Sequence, residues 1–462
     1  MKFVNRKEEI QFLQERYFCK DPQLVILYGR RRVGKTELAL RFSKDKPHIY
    51  FLASETSERD NLEGLFSKIY DFYKDDILSY ERNWENLFKY LSRKKERLIL
   101  IIDEFPYLVS QNKSLPSIFQ KGWDLYLKKS NIFLVLSGSS VSMMESYTLN
   151  YKSPLYGRRT GQWKLNPLKF RDLAGFFPNY KISERAAVYG AIGSIPAYLV
   201  KFVPKVSFWK NIEDNLLSKG TFLYEEIDFL LKQELREPKV YKNILKSIAL
   251  GNTKFSEIMN AAGIDKSKLF IYLENLESLH FIEKKIPVLD SMRSKKSRYY
   301  IQDNFFRFYF RYILSNKSFL EEGQKKIILN KIRKDYDNYL GRYVWEDICR
   351  QFLWENLSRL PFIPEKIGKQ WGVFRFSNRA QSYEIDLLAL NSSEKKVMLI
   401  ECKWKDNVET GKVLAGLKDK LRFLPHFGKN WISYYCVIAK SFKNKERFPD
   451  NVLLFDLKDW QD

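Results

Sequence analysis

The chain has 462 residues, 45% of them hydrophobic and 29% charged, a balance that excludes a disordered or fibrous polypeptide and leaves room for several domains. Its net charge is +24, from 80 Lys and Arg against 56 Asp and Glu. A surplus of that size points to an anionic partner, nucleic acid first, or else to an evenly solvated lysine-rich surface.

Apolar runs at 24–28, 49–53, 98–102 and 132–137 are short and bounded by turns, with helix-like stretches between them. That alternation predicts a parallel sheet with crossover helices. None of these runs is long enough to cross a bilayer, and the charged N-terminus lacks a signal-peptide core, so a cytoplasmic protein with no membrane association is expected. After Pro167 helical periodicity takes over, at 183–200 and 221–232. Helices at 240–250, 254–262 and 266–279, then strands at 280–287 and 298–302, give the order of a winged helix-turn-helix. An aromatic helix at 303–314 follows, whose Phe305, Phe306, Phe308, Tyr309 and Tyr312 read as core rather than as a base-stacking platform. A charged helical connector spans 315–337. The last region reads as a helix at 342–357, strands at 370–375, 384–390 and 397–403, a helix at 411–424, and strands at 432–438 and 452–456. The four Cys and three His are scattered without disulfide or zinc spacing.

Gly29-Arg30-Arg31-Arg32-Val33-Gly34-Lys35-Thr36 is a gapless phosphate-binding loop, set after an apolar strand and before the helix at 37–43. Its backbone N–H groups would cradle phosphates at a helix N-terminus, Lys35 would reach the β- and γ-phosphates of ATP, and Thr36 would bind Mg²⁺. The strand at 98–102 ends in Asp103 and Glu104. Asp103 is the second expected Mg²⁺ group, and Glu104 the residue that orients or activates the attacking water. Ser137 or Ser139 ends the next strand near the γ-phosphate, unless this is an ordinary turn. Arg158 and Arg159 either stabilise transition-state charge or form a solvated basic turn.

These motifs, taken with Phe3-Val4-Asn5-Arg6, Pro154-Leu155-Tyr156-Gly157-Arg158-Arg159 and Gly193-Ser194-Ile195-Pro196, resemble in order the archaeal ATPase family, relatives of AAA+ proteins within the STAND class of signal-transducing NTPases. The resemblance implies that Phe3, Val4 and Arg6 lie against the adenine. It also implies that Arg158 or Arg159 senses or completes the nucleotide site, and that self-association would run through the ATPase domain. Asn5 stands where the family usually has Gly, and Ser194 replaces the second Gly of a Gly-Gly-Ile-Pro run.

Near the C-terminus, Glu384-Ile385-Asp386 and Glu401-Cys402-Lys403 fall on two strands of a hairpin that would set Asp386 beside Glu401 and Lys403. Period two puts Glu401 and Lys403 on one face and Cys402 on the other. Paired carboxylates suit Mg²⁺ or Mn²⁺, and the lysine suits activation of a water for phosphodiester attack. Alternatively, Asp386 simply pairs with Lys403. The pattern resembles the PD-(D/E)XK nuclease fold, with Ile385-Asp386 in place of Pro-Asp. It implies that Asp386, Glu401 and Lys403 hold the metal and catalytic positions, with Glu346 as the acid on the preceding helix and a further metal ligand. Lys266, Ser267 and Lys268 open the expected recognition helix, one turn before Tyr272. Arg293, Lys295, Lys296 and Arg298 make a basic wing, serving DNA contact or packing.

The expected fold is thus α/β, with five parts. They are a P-loop ATPase core over 1–165, a helical lid over 166–238, a winged helix over 239–314, a connector over 315–338 and a restriction-endonuclease-like domain over 339–462. The expected function is an Mg²⁺-dependent ATPase that acts on DNA, either with nuclease chemistry or as a STAND-type switch whose C-terminal domain only binds DNA or a protein.

Overall fold

A computed structural model describes residues 3–291, 293–376, 379–424, 427–428, 430–444 and 448–460; His426 lies outside them. The chain forms two compact units, Met1–Leu168 with Ile195–Ala197, and Lys169–Ser194 with Tyr198–Asp462. Among the described residues no helix is long and apolar enough to cross a membrane.

In the first unit, β1 (Gln23–Tyr28), β2 (His48–Leu52), β3 (Leu98–Asp103), β4 (Ile132–Gly138) and β5 (Gly161–Lys164) form a parallel sheet in the order β2-β3-β4-β1-β5. Every residue of β1, β3 and β4 is buried. Alternate residues feed two cores. Leu24, Ile26, Leu100, Ile102, Leu134 and Leu136 pack on one face. Val25, Leu27, Ile99, Ile101, Phe133 and Val135 pack on the other, against Leu38 and Phe42 of the Lys35–Ser43 helix. Continuous apolar runs are what a sheet covered on both faces requires. The edge strand β5 was not expected; its sequence, GQWK, is only partly buried and carries no apolar run.

The second unit begins with helices. The helical stretch expected at 183–200 is divided: Ile182–Ile192 stops at Gly193, whose φ is 65°, and Pro196–Leu199 restarts it. Further on come Pro238–Ala249, Phe255–Ala262 and Lys266–Ser278, then the antiparallel pair β6 (Ile282–Lys285) and β7 (Arg298–Ile301). The expected single helix at 342–357 is likewise two, Lys325–Tyr343 and Trp345–Glu355, parted at Val344 with φ −120°.

The C-terminal sheet contains β8 (Lys366–Phe376), β9 (Arg379–Asn391), β10 (Lys396–Lys403), β11 (Ile432–Ala439) and β12 (Val452–Phe455), in the order β12-β11-β10-β9-β8. The pairs β8–β9 and β9–β10 are antiparallel; β10–β11 and β11–β12 are parallel. One irregularity matters below. On β8 and β9, Gly368 pairs with Leu388 but Gln370 pairs with Ile385. The single Lys369 therefore faces two residues, Asp386 and Leu387, and β9 carries a bulge. The core records the same slip: Leu388 and Ile385, three apart, both enter one apolar cluster, which an unbroken period of two forbids.

The aromatic helix is core, as expected. Phe305, Phe306, Phe308 and Tyr309 are fully buried and Tyr312 nearly so. Phe308 meets Tyr312 at 5.0 Å between centroids, and Tyr339 donates to the Gly190 carbonyl at 2.8 Å. Phe308→Ala should cost about 3–5 kcal/mol. Denaturant unfolding would show it as a lower midpoint for the second unit, and an unmoved midpoint would contradict the core assignment.

Candidate functional site

The phosphate loop leaves the carboxyl end of β1 at Gly29. A Cβ there would lie 2.3 Å from the Leu165 carbonyl oxygen, so only glycine fits where the chain passes the segment following β5. Arg32 and Gly34 have φ of 71° and 95°, positive-φ turns of the kind by which anion-binding loops bring successive N–H groups together. Lys35 is buried, and its ammonium donates to the carbonyls of Gly29 at 2.9 Å and Arg30 at 3.2 Å.

Asp103 follows Ile99 and Ile101 at period two, so it emerges on the face that carries the Lys35–Ser43 helix. The Thr36 hydroxyl donates to its Oδ2 at 2.6 Å and the Tyr50 hydroxyl to the same oxygen at 3.0 Å, while the Glu104 N–H donates to Oδ1 at 3.0 Å. Burial, with Asp103 second, pushes the Tyr50 phenol well above its ordinary value, so Tyr50 stays a donor. Sequence reasoning did not single out Tyr50, because it reaches Asp103 from the neighbouring strand. Glu104 has φ 54°, and its Oε2 accepts the N–H of Ser139 at 3.1 Å and its hydroxyl at 2.9 Å. Ser139, not Ser137, is thus the serine tied to the acidic strand end.

The N-terminal segment lies beside the loop. Asn5 and Arg6 have φ of 58° and 68°, the left-handed region that glycine adopts most readily and asparagine tolerates. The Arg6 guanidinium donates to the carbonyls of Val33 at 3.0 Å and Asn166 at 2.8 Å, and pairs with Glu9 at 2.9 Å. Arg6 therefore braces the loop from behind. Phe3 packs on the apolar cluster behind the loop, Arg41 stands 6.0 Å from its ring, and Val4 is half-buried. Arg31 donates to the Tyr107 hydroxyl at 3.2 Å. Arg158 and Arg159 precede β5, where the Thr160 N–H donates to the Leu24 carbonyl. That is the amino end of the sheet, roughly 13 Å along β1 from the loop at 3.3 Å per residue. Arg158 is paired with Asp124 at 2.9 Å, and Arg159 lies over the Tyr156 ring.

The second cluster lies on the C-terminal sheet. The paired part of β9 and β10 ends at Leu387 and Ile400. One residue on, Asp386 Oδ2 accepts the Cys402 N–H at 2.8 Å. With the bulge, Glu384 and Asp386 turn toward the Trp345–Glu355 helix, and both line a cavity with Glu346, Lys369 and Lys403. Glu401 continues Val397 and Leu399 toward the Thr410–Leu421 helix and is not among the lining residues. Lys403 pairs with Glu401 rather than with Asp386, and Lys420 pairs with the other Glu401 oxygen at 2.8 Å. Lys369 bonds both oxygens of Glu346 at 2.9 and 3.0 Å and Glu384 at 2.8 Å; Arg298 bonds Glu384 at 2.8 Å.

The expected metal set of Glu346, Asp386 and Glu401 is therefore not assembled. Among the described residues no group of three or more His, Cys, Asp or Glu is arranged to hold a metal ion. The physical reason is competition: lysines hold both glutamates. Burial disfavours the charge of Lys369, but Glu346 and Glu384 outweigh it and raise its pKa. Burial alone would raise Glu401, yet Lys403 and Lys420 hold it below the ordinary range. Among the described residues no lysine or arginine pairs with Asp386. Burial, then Glu401 and Glu346, push its carboxyl up to about 7. Lys369, Glu384 and Lys420 were missed in the sequence because their roles depend on strand register.

The expected wing is docked. Val288 N–H donates to the Lys369 carbonyl at 3.0 Å, Leu289 N–H to Gln370 at 3.2 Å, and the Trp371 indole to the Lys296 carbonyl at 3.1 Å. The β6–β7 connection thus covers the edge of β8. Lys296 pairs with Asp290 at 3.1 Å, and Arg293 and Lys295 are exposed. Lys266, Ser267 and Lys268 are exposed, and Tyr272 donates to Glu237 at 2.8 Å.

A carboxyl whose folded pKa is raised adds stability that is fully present below its unfolded value, about 3.9, and lost as pH rises through about 7. In chelator, Asp386→Asn should therefore match the wild type near pH 4 and exceed its unfolding midpoint by several degrees at pH 8. Parallel melting profiles across that range would show that Asp386 is not held neutral.

Comparison with known proteins agrees with the first site. Residues 3–202 match the family profile described as an ATPase domain predominantly from Archaea, and residues 309–413 match one described as "Archaea bacterial proteins of unknown function". An uncharacterised protein of Methanocaldococcus jannaschii is 41% identical over 465 residues, 99% of this chain and 100% of the relative. An uncharacterised ATP-binding protein of the same organism is 54% identical over 44 residues, 10% of this chain and 75% of that protein. A Walker-type ATPase of Pyrococcus abyssi shares the fold, with a TM-score of 0.52 at 24% identity over 67% of this chain and 96% of that one. With a family ATPase domain at its N-terminus and a full-length relative at that identity, the chain belongs to the archaeal ATPase family.

Proposed function

We propose that this protein is an ATP-hydrolysing switch whose second unit binds nucleic acid. The observation that carries the ATPase half is the connected chain Thr36–Asp103–Glu104–Ser139, with Lys35 at its head. The residues fit ATP and Mg²⁺: the loop offers N–H groups and an ammonium to phosphate, and Thr36 and Asp103 offer two adjacent oxygens to the metal. Bound there, Mg²⁺ would neutralise phosphate charge. Glu104 orients the attacking water, and Ser139 sets the position of Glu104. Phe3, Val4 and Arg6 take the adenine, a reading supported by the Arg6 bonds that tie this segment to the loop at Val33. Arg158 or Arg159 senses or completes the nucleotide site, a role supported by the resemblance of Pro154–Arg159 to the family's motif.

Lys35→Ala should lose nucleotide binding, since Lys35 contacts phosphate in the ground state. Glu104→Gln should bind ATP but release phosphate about 10²-fold more slowly, because it acts on the water. Nucleotide titration and phosphate release on both variants test this; unchanged turnover in Glu104→Gln would remove that residue from its role.

The nucleic-acid half rests on the net charge of +24 and on the helix-helix-helix-hairpin order with exposed Lys266 and Lys268, which reads as a winged helix. The sheet order and the positions of Asp386 and Lys403 support a nuclease-like fold, and that favours a second reading, phosphodiester cleavage. The lysine-held glutamates weigh against it. Single- and double-stranded DNA and RNA should therefore survive incubation with Mg²⁺ or Mn²⁺, with and without ATP. Cleavage by the wild type that disappears in Asp386→Ala and Lys403→Ala would install the nuclease reading instead.

A further inference from the structure

The cavity beside Asp386 has a volume of about 780 Å³, and its wall is built by the β6–β7 module as well as by the C-terminal sheet. Its acidic side is closed on itself. Glu346 and Glu384 carry two negative charges, and Lys369 and Arg298, bonded to them, carry two positive ones. The bulge on β9 opposite Lys369 fixes this arrangement. A divalent ion would have to displace an ammonium from a neutral, hydrogen-bonded network and leave that buried ammonium unpaired. The rest of the lining carries both signs: Lys440 pairs with Asp406 at 2.7 Å, Lys403 is held by Glu401, the Trp404 indole donates to Asp337 at 2.8 Å, and Arg342 and Lys405 are exposed. Tyr300 and Trp404 add aromatic rings to the wall. The volume falls within the range of about 300–1,000 Å³ that encloses a small ligand or a short stretch of one strand. A base can lie on the Tyr300 ring only when it is free of a duplex stack, which favours a single strand.

We propose that this cavity is a metal-independent binding site for single-stranded nucleic acid, with Arg342 and Lys405 taking backbone phosphates and Tyr300 stacking a base. The inference rests on the nucleic-acid reading above and narrows it. Lys369 is the site's resident cation, bonded to Glu346 and Glu384. Base stacking on an aromatic ring and phosphate contact by exposed cations together make a sequence-tolerant grip.

The test is fluorescence anisotropy of the full chain in EDTA, over a salt series, with a thymidine ten-mer, a uridine ten-mer and a blunt duplex. The two single strands separate DNA from RNA as the source of the strand. The wild type should bind a single strand in EDTA. The double variant Arg342→Ala/Lys405→Ala should weaken that binding about tenfold and flatten its log–log salt slope by about 1.4, two phosphates at about 0.7 each. Tyr300→Leu should weaken it with the slope unchanged, because stacking releases no counterion. Duplex affinity should move less than twofold in all variants. Binding that requires Mn²⁺ would overturn the proposal. So would single-strand binding untouched by these variants but lowered by Lys266→Ala/Lys268→Ala, which would leave nucleic-acid binding in place at another surface. Absence of binding to every oligonucleotide would overturn the proposal together with the nucleic-acid reading.

Discussion

Complete burial of β1, β3 and β4 is the constraint on which the ATPase site depends. A strand with no exposed face has little room for polar side chains along its length, so its polar residues collect at the ends. At the carboxyl ends of these three strands stand the phosphate loop, Asp103 with Glu104, and Ser139. Period two then chooses the face. Asp103 comes out on the side of the Lys35–Ser43 helix because Ile99 and Ile101 are already packed there, and Thr36 meets it at 2.6 Å. The apolar core, not the loop alone, sets the positions of the reacting groups.

The second unit uses a different device. A regular β8–β9 ladder would alternate residues 384–388 between two faces without a break. The bulge at Asp386 and Leu387 lets Ile385 and Leu388 share one core cluster while Glu384 and Asp386 turn into the cavity. It also leaves Lys369 alone opposite them, aimed at two glutamates. The same residue's carbonyl accepts the Val288 N–H, so the β6–β7 connection and the carboxylate cluster are held by one position of β8.

What could be read from the sequence follows from distance along the chain. The phosphate loop, the acidic strand end and the hairpin bearing Asp386, Glu401 and Lys403 are each local patterns, and each lies on the element its spacing predicts. The aromatic stripe from Phe305 to Tyr312 was legible for the same reason. The metal set was not, because Glu346–Lys369 and Arg298–Glu384 join residues 23 and 86 positions apart, through a register slip that no local pattern encodes. The wing looked basic and available; its connection is in fact hydrogen-bonded along β8. Edge strand β5 was missed because a half-exposed strand need not be apolar.

The two acidic clusters have similar residue types and opposite partners, and that contrast separates their chemistry. Asp103 takes its hydrogen bonds from Thr36, Tyr50 and a backbone N–H, and Glu104 takes its bonds from Ser139. All of these donors are neutral, so they orient the carboxylates without cancelling their charge. Glu346, Glu384 and Glu401 are bonded instead by lysine and arginine. An acid held by neutral donors keeps its charge for a cation that arrives with a ligand. An acid held by an ammonium has already been answered, and removing that ammonium would leave a buried charge unpaired. By this criterion the first cluster keeps its charge available at the carboxyl edge of the sheet. The second has its charge matched within the protein, and those ion pairs hold the shape of the β8–β9 bulge.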